Sequence, residues 1–429
     1  MSRPLATAEI IAVGSELLGW TRLDTNSLYV TETLAALGIE VKGKCVVGDD
    51  RNRLRAVFLN ALERSDLVVL TGGLGPTDDD LTREVVSEVL GLALLEDPAI
   101  TALIAQRFAR RGLQMPEVNR RQAMVPKGAT SLPNPNGSAP GLFIEVDEKV
   151  VVLLPGPPRE LQPMLSMLAD GGPSTGSGQG LLAARAGAER LYKVSLFTTQ
   201  RSESHIEEIA QPIYSRWRDD DPPIETTILA TPGQVELHLT MRSANGEAAT
   251  RALQTARQQL ADALGDCAFT MDGRPLHRLV GEMLRERRLT IAAAESCTGG
   301  LLLERLTDVP GSSDYVAGGI VAYTNELKTT LLGVDAALIE RHGAVSEPVA
   351  AEMAEGMRVR SGASTSIAIT GVAGPGGGSP SKPVGTVIIA VLVEGKPLSV
   401  RTHSFPGGRE HVRFQATQAA LDTLRRMLV

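Results

Sequence analysis

From its start to about Leu168 the chain alternates short apolar runs with amphipathic stretches. Glu9–Val13 reads as a strand, Asn26–Leu37 as a helix, Val41–Val46 as a second strand, Arg51–Ser65 as a helix and Leu67–Leu70 as a third strand. Asp97–Arg111 adds a helix, and Val150–Leu154 a late strand closed by Pro155, Gly156, Pro157 and Pro158. Strands separated by helical crossovers pair in parallel, so a parallel sheet is expected in this first unit.

The pattern then breaks. Gly171–Gly180 reads GGPSTGSGQG, a flexible composition with nothing to build a core. Beyond it, Leu191–Phe197 reads as a strand, Ser204–Arg216 as a helix, Ile224–Leu229 and Gln234–Arg242 as strands, and Glu247–Leu264 as a helix. Val235, Leu237, Leu239 and Met241 fall on one face of their run, the mark of a half-buried strand. A third unit opens near Pro275 with a helix to Arg287 and a strand at Leu289–Ala294. Strands follow at Gly319–Tyr323, Ser366–Thr370 and Gly385–Leu392, then a final helix at Glu410–Leu428. The expected division is an α/β domain over residues 1–170, a linker over 171–189, a small α+β module over 190–270 and a second α/β domain over 271–429.

Composition narrows the class. Hydrophobic residues make up 43% and aromatics only 3%, so the cores must be built from Leu, Val, Ile and Ala, as in parallel sheets covered by helices. With 43 basic against 50 acidic residues the formal charge is -7, which argues against direct nucleic-acid binding. Cys45, Cys267 and Cys297 lie far apart without a CxxC pair, so neither a disulfide framework nor a zinc site follows, and a reducing compartment fits. The first residues lack the marks of a signal peptide, and no apolar stretch reaches membrane-spanning length. A cytoplasmic location without a membrane partner is expected.

Three loop clusters of the first unit sit where an open α/β sheet binds ligands, beyond the carboxyl ends of its strands. They are GSELL (Gly14–Leu18), TGGLGPTDDDLT (Thr71–Thr82) and LPGPPREL (Leu154–Leu161), with NPNGSAPG (Asn134–Gly141) between the last two. Glycines after a strand let backbone N–H groups approach a phosphate, and Asp78, Asp79 and Asp80 offer hard oxygen ligands to a divalent metal.

In the third unit AAAESCTGG (Ala292–Gly300) places Glu295, Ser296, Cys297 and Thr298 at a strand-to-helix turn, where unpaired helix N–H groups can hold an oxyanion. A nucleophile there needs a base, and Tyr323 and Lys328 follow the next strand. Ser296 and Cys297 both qualify as the nucleophile. TGVAGPGGG (Thr370–Gly378) is suited to wrapping a phosphate or ribose, and FPGGRE (Phe405–Glu410) sets Arg409 at the start of the last helix, able to grip a phosphate or carboxylate.

TGGLGPTDDDLT and LPGPPREL resemble the molybdopterin-binding (MogA and MoeA-like) domain. AESCTGG, GSSDY, AYTNELK, HGAVSEP, GVAGPGGGS, KPVGT and FPGGRE resemble the PncC-type nicotinamide-nucleotide amidohydrolase domain. In that order along one chain they resemble the CinA family. The resemblance implies hydrolysis of nicotinamide mononucleotide to nicotinic acid mononucleotide and ammonia, without cofactor, in pyridine-nucleotide recycling. It also implies a second, metal-dependent (Mg, Mn or Co, with potassium a further ion) hydrolysis of ADP-ribose at the N-terminal domain, and a homodimer. Glu16, Asn26 and Arg159, with Thr71, Gly72, Gly73, Asn136 and Gly156, are the binding residues so implied, and Asp49, Asp79 and Asp80 the metal-binding acids. In the C-terminal domain Ser296 is expected to attack, with Lys328 as the base and Tyr323 assisting the proton transfer. The backbone of Thr298, Gly299 and Gly300 is expected to stabilise the oxyanion, and Cys297, Ser313, Gly374, Gly376, Gly377 and Arg409 to hold substrate. The family's middle module has been likened to a KH fold, but no GXXG loop is present here. The rival from another class is a non-enzymatic scaffold acting in competence or the DNA-damage response.

Overall fold

Strand burial explains the first sheet. The computed structural model describes residues 3–170 and 180–429, which divide into two compact units. One runs to Tyr192 and takes in Arg242–Ala249; the other comprises Lys193–Met241 and Thr250–Val429. In the first, β1 (Thr7–Val13) is buried along almost its whole length because it pairs on both sides, with β2 (Glu40–Val47) and β3 (Leu67–Thr71). A short pair, β4 (Leu94–Glu96) and β5 (Met124–Pro126), stands apart. β6 (Thr130–Leu132), β7 (Gly141–Val146) and β8 (Lys149–Leu154) complete the main sheet, in the order β2-β1-β3-β8-β7-β6.

The four strands β2, β1, β3 and β8 are parallel, as their crossovers require, but β7 pairs antiparallel with β8 and β6 antiparallel with β7. The expected parallel sheet is therefore a mixed one. Its antiparallel half arises because the tight turn at Asp147 (φ 54°) leaves no room for a crossover helix. Strand alternation sorts the two faces. Ile10, Val69 and Val152 pack with α1 (Asn26–Ala36), and Ile11, Val68 and Val151 with α2 (Arg51–Arg64) and α3 (Thr82–Leu90). α4 (Pro98–Ala109), capped by Asp97, lies beside β5. α5 (Pro158–Ala169) joins the α1 face.

Residues 171–179, the core of the expected linker, lie outside the described residues. The rest of that linker is not flexible: α6 (Leu181–Arg185) starts at once, Leu182 is fully buried, and Leu5 bridges to Ala186. Leu181, Leu182 and Ala183 supply the apolar face that the glycine-rich composition upstream conceals.

The small module consists of β9 (Arg190–Thr199), α7 (Glu203–Tyr214), β10 (Glu225–Thr231), β11 (Gln234–Ser243), α8 (Gly246–Leu264) and β12 (Ala268–Thr270), with sheet order β10-β11-β9-β12. The alternation of Val235, Leu237, Leu239 and Met241 is matched by their burial. The C-terminal sheet has the order β14-β13-β15-β16-β17, from β13 (Ile291–Glu295), β14 (Val316–Val321), β15 (Thr365–Gly371), β16 (Thr386–Val393) and β17 (Ser399–Ser404). The first three are parallel and the last two antiparallel. α9 (Leu276–Glu286), α10 (Leu301–Thr307) and the long α14 (Arg409–Leu428) cover one face. α11 (Asn325–Leu332), α12 (Ala336–His342) and α13 (Glu347–Ser361) cover the other. Among the described residues no helix is long and apolar enough to cross a membrane.

Candidate functional site

The carboxyl ends of the parallel strands β14, β13 and β15 meet at one crevice, where open α/β sheets bind ligands. The residue after β13 is Ser296, whose N–H donates to Ile369 O of the neighbouring strand at 2.9 Å. The turn that follows needs left-handed backbone at Gly299 (φ 61°) and Gly300 (φ 95°), which glycine adopts without a steric penalty. Ser296 Oγ accepts a hydrogen bond from Lys328 Nζ at 3.1 Å. Lys328, on α11, is 1% exposed and also donates to the carbonyls of Ala322 (2.8 Å) and Tyr323 (3.5 Å). Burial disfavours its charge and lowers its pKa below the usual lysine value. Burial acts the opposite way on Cys297, whose thiol is pushed up to about 11. Cys297 is packed in the core, and of the two candidate nucleophiles it is Ser296 that Lys328 contacts.

The turn also carries a side chain that was not singled out for chemistry. Glu295 is fully buried, and its carboxylate accepts from the backbone N–H groups of Gly300, Leu302 and Leu303 at 3.0–3.1 Å. It thereby caps α10. The oxyanion donors expected over Thr298–Gly300 must be revised accordingly: Gly300 N–H is taken by Glu295 and Gly299 N–H by Ser296 O (3.1 Å). Among the described residues the Thr298 N–H has no partner, and the Cys297 N–H meets only its own thiol.

Arg409 Nη1 donates to Gly374 O at 2.9 Å and Nη2 to the Tyr323 hydroxyl at 3.1 Å, so one guanidinium joins the glycine loop to the β14 loop. Tyr323 is 56% exposed, and its phenol is tied to Arg409 on the outer lip. Gly376 and Gly377 are exposed in the same loop. One expected binding residue is misplaced. Ser313 precedes β14, at the amino end of a 6-residue strand, so about 20 Å of strand separates it from the crevice within one chain. The GSSDY motif instead leads to Tyr315, which is buried and donates to Leu306 O. Arg413 was missed. One helical turn after Arg409, it donates to Thr298 O through Nε (3.1 Å) and Nη2 (2.6 Å), and i,i+4 spacing on α14 was the signal available.

The first unit has its own cleft of about 520 Å³ at the carboxyl ends of β1, β3 and β8. Glu16, Asp49, Gly72, Gly73, Asp79, Asp80, Asn136, Gly156 and Arg159 all line it, and Arg107 and Arg111 add charges that the motifs did not reveal. Gly72 (φ 99°) has no room for a side chain, since a Cβ there would lie 2.1 Å from Val13 O. Asn26 reaches the cleft indirectly by donating to Gly156 O at 2.6 Å. Thr71 does not reach it, being buried in β3. Asn136 donates to Arg159 O at 2.7 Å. Beneath the loop, the buried Arg83 holds the carbonyls of Leu74 and Gly75 at 3.1–3.2 Å, and burial lowers its pKa.

Two of the three acids expected to hold metal are engaged by hydrogen bonds from the loops. Asp80 is spent on its own loop, accepting from Gly75 N–H, Thr77 N–H and Thr77 Oγ1 at 2.6–2.9 Å. Asp49 accepts from Ser15 N–H at 2.8 Å. Asp79 is exposed, and its hydrogen bond from Thr77 lowers its pKa. Among the described residues no group of three or more His, Cys, Asp and Glu side chains could hold a metal ion.

Fold and sites together define a class: an α/β domain with a glycine- and arginine-lined cleft, joined in one chain to an α/β domain bearing a buried Ser–Lys pair. Residues 9–171 match the probable molybdopterin binding domain, and residues 273–428 the CinA C-terminal domain. The chain belongs to the CinA family. It is 44% identical to a "CinA-like protein" of Koribacter versatilis over 426 residues, 98% of this chain and 100% of the relative. It is 45% identical to a "putative competence-damage inducible protein" of Symbiobacterium thermophilum over 433 residues, 98% and 99% of the two chains. Among solved structures, a competence/damage inducible protein from Agrobacterium tumefaciens is 38% identical, covering 35% of this chain and 93% of that one, with a TM-score of 0.35.

Proposed function

We propose that the C-terminal domain hydrolyses the carboxamide of nicotinamide mononucleotide, giving nicotinic acid mononucleotide and ammonia. The observation carrying this reading is the buried Ser296–Lys328 pair at 3.1 Å. A neutral Lys328 has two N–H bonds, which the Ala322 and Tyr323 carbonyls accept, and a lone pair left for the Ser296 hydroxyl proton. As Oγ bonds to the carboxamide carbon, that proton passes to Nζ and the carbonyl π pair moves onto oxygen. The Cys297 and Thr298 N–H groups are the donors left for this oxyanion, each typically worth about 3 kcal/mol. Collapse breaks the C–N bond, Nζ returns its proton to the leaving nitrogen, and ammonia departs from an ester on Ser296. Water, losing a proton to Nζ, then attacks the ester; Oγ takes that proton back, and the carboxylic acid is released and gives its own proton to solvent as the carboxylate. Arg409 and the exposed glycines Gly376 and Gly377 would hold the phosphate or ribose. The scheme uses no cofactor. Ammonia release from nicotinamide mononucleotide by the purified protein, beside Ser296→Ala, tests it; an unchanged rate in the variant would sink it.

For the N-terminal cleft we propose recognition and hydrolysis of ADP-ribose at its pyrophosphate. The supporting observation is that Arg107, Arg111 and Arg159 share one cleft with glycine-lined backbone. Because two of the three acids are engaged by loop hydrogen bonds, no step is assigned to a metal. Absence of AMP formation from ADP-ribose in the presence of Mg, Mn or Co would overturn this second reading.

A further inference from the structure

The middle module contributes nothing to either site above, yet it forms one wall of a groove whose other wall is the C-terminal domain. Strand alternation on β17 puts Ser399, Arg401, His403 and Phe405 on one face, while Thr402 turns the other way to donate to Glu347. That face meets the β9–α7 turn, Gln200–Ser202, and the β10–β11 turn. Two adjoining cavities of about 670 and 650 Å³ result, sharing Gln200, Arg201 and His403.

The groove is lined by three arginines, Arg201, Arg401 and Arg426, and three carboxylates, Glu203, Asp266 and Asp422, and two of the arginines have no ion-pair partner among the described residues. Arg401 makes no ion pair among the described residues, and the partner of Arg201 is a neutral one, Cys267 Sγ at 3.4 Å. Arg426 is answered by Asp422 and Asp266, and Glu203 is the carboxylate of the first cavity. His403 Nε2 is withdrawn from solvent and has no hydrogen-bond partner. Its ring stacks on Phe405 with centroids 5.2 Å apart and planes within 10°. His411 stands at the rim. Two guanidiniums left outside the ion pairs of a concave space, beside an orphaned imidazole and a flat aromatic pair, suit an anion attached to a ring.

We propose that this groove binds a small phosphate-bearing molecule of mononucleotide size, its phosphate between Arg201 and Arg401 and its ring against His403 and Phe405. The site also bears on the crevice. Phe405 and Gly407 line the groove, Gln415 donates to Pro406 O at 2.9 Å, and the same loop ends at Arg409, which holds Tyr323 and Gly374. Binding here therefore shifts the affinity of the crevice for its substrate. This second part rests on the deamidase reading; the first does not.

The test is hydrogen exchange on the full-length protein with inorganic phosphate and, separately, AMP. Protection is expected at residues 200–204, 230–235 and 403–408, with at least a tenfold weaker midpoint in the double variant Arg201→Gln, Arg401→Gln. Protection by phosphate alone identifies the anion as the recognised group, and protection by AMP alone shows that the ring is also needed; either supports the site. No protection of these segments by either probe, or protection unchanged in the variant, overturns it. Deamidation by the variant without ligand should equal wild type, and the change in KM on adding the protecting probe should vanish.

Discussion

Gly356→Ala sets helix propensity against packing and carries the result to the Ser296–Lys328 pair proposed to be catalytic. Gly356 lies inside α13, where alanine is favoured over glycine by about 1 kcal/mol. A Cβ there would sit 1.8 Å from the carbonyl oxygen of Leu332 and 2.8 Å from its carbon. Ordinary carbon contacts need about 3.5 Å, so the end of α11 must retreat by about 1.5 Å. Lys328 lies one turn before Leu332 on that helix, and its 3.1 Å contact with Ser296 cannot survive even half the movement. Overpacking typically costs ~1–3 kcal/mol, so after the propensity gain a net loss of about 1 kcal/mol is expected. The rate should suffer more, by roughly 100-fold, as for an ångström of misplacement in a reacting pair. The assays are ammonia release and the urea midpoint followed by circular dichroism. A variant with wild-type rate and a raised midpoint, as propensity alone demands, would refute the packing argument.

Ser296→Ala should abolish ammonia release while Cys297→Ala keeps it within a few-fold, because a thiol raised to about 11 is not a thiolate at neutral pH; the reverse pattern in steady-state kinetics would exchange their roles. The proposed mechanism uses neutral Lys328, whose pKa burial lowers, so kcat/KM should rise with pH and level off below the usual lysine value of 10.5. A rising limb centred at 10.5 or higher would contradict that. Leu182→Ala should cost ~2–5 kcal/mol in chemical denaturation, since the side chain is fully buried; a linker residue would show no change. Asp80→Asn should destabilise the N-terminal loop by about 1–3 kcal/mol in metal-free thermal melts, because Asp80 is an acceptor for three donors there. Loss of function in that variant would therefore not by itself reveal a metal ligand.

What the amino-acid order determined alone was whatever is local. Apolar runs such as Ile10–Val13 and Val68–Leu70 marked central strands because a strand covered on both faces must be apolar on both. Glycines and polar residues directly after those strands marked both sites, since the ends of parallel strands are where backbone donors stay unpaired. The order could not say which polar group meets which. That Lys328 reaches Ser296, that Glu295 takes the N–H groups expected to serve an oxyanion, and that Asp80 is consumed by its own loop depend on distances of a few ångströms between residues brought together by folding. Ser313 shows the limit most clearly: its motif is adjacent in sequence to the strand leading to Tyr323, yet it lies at that strand's opposite end. The groove beside the middle module was illegible for the same reason, because Arg201 and Arg401 are brought near one another only by packing between segments two hundred residues apart.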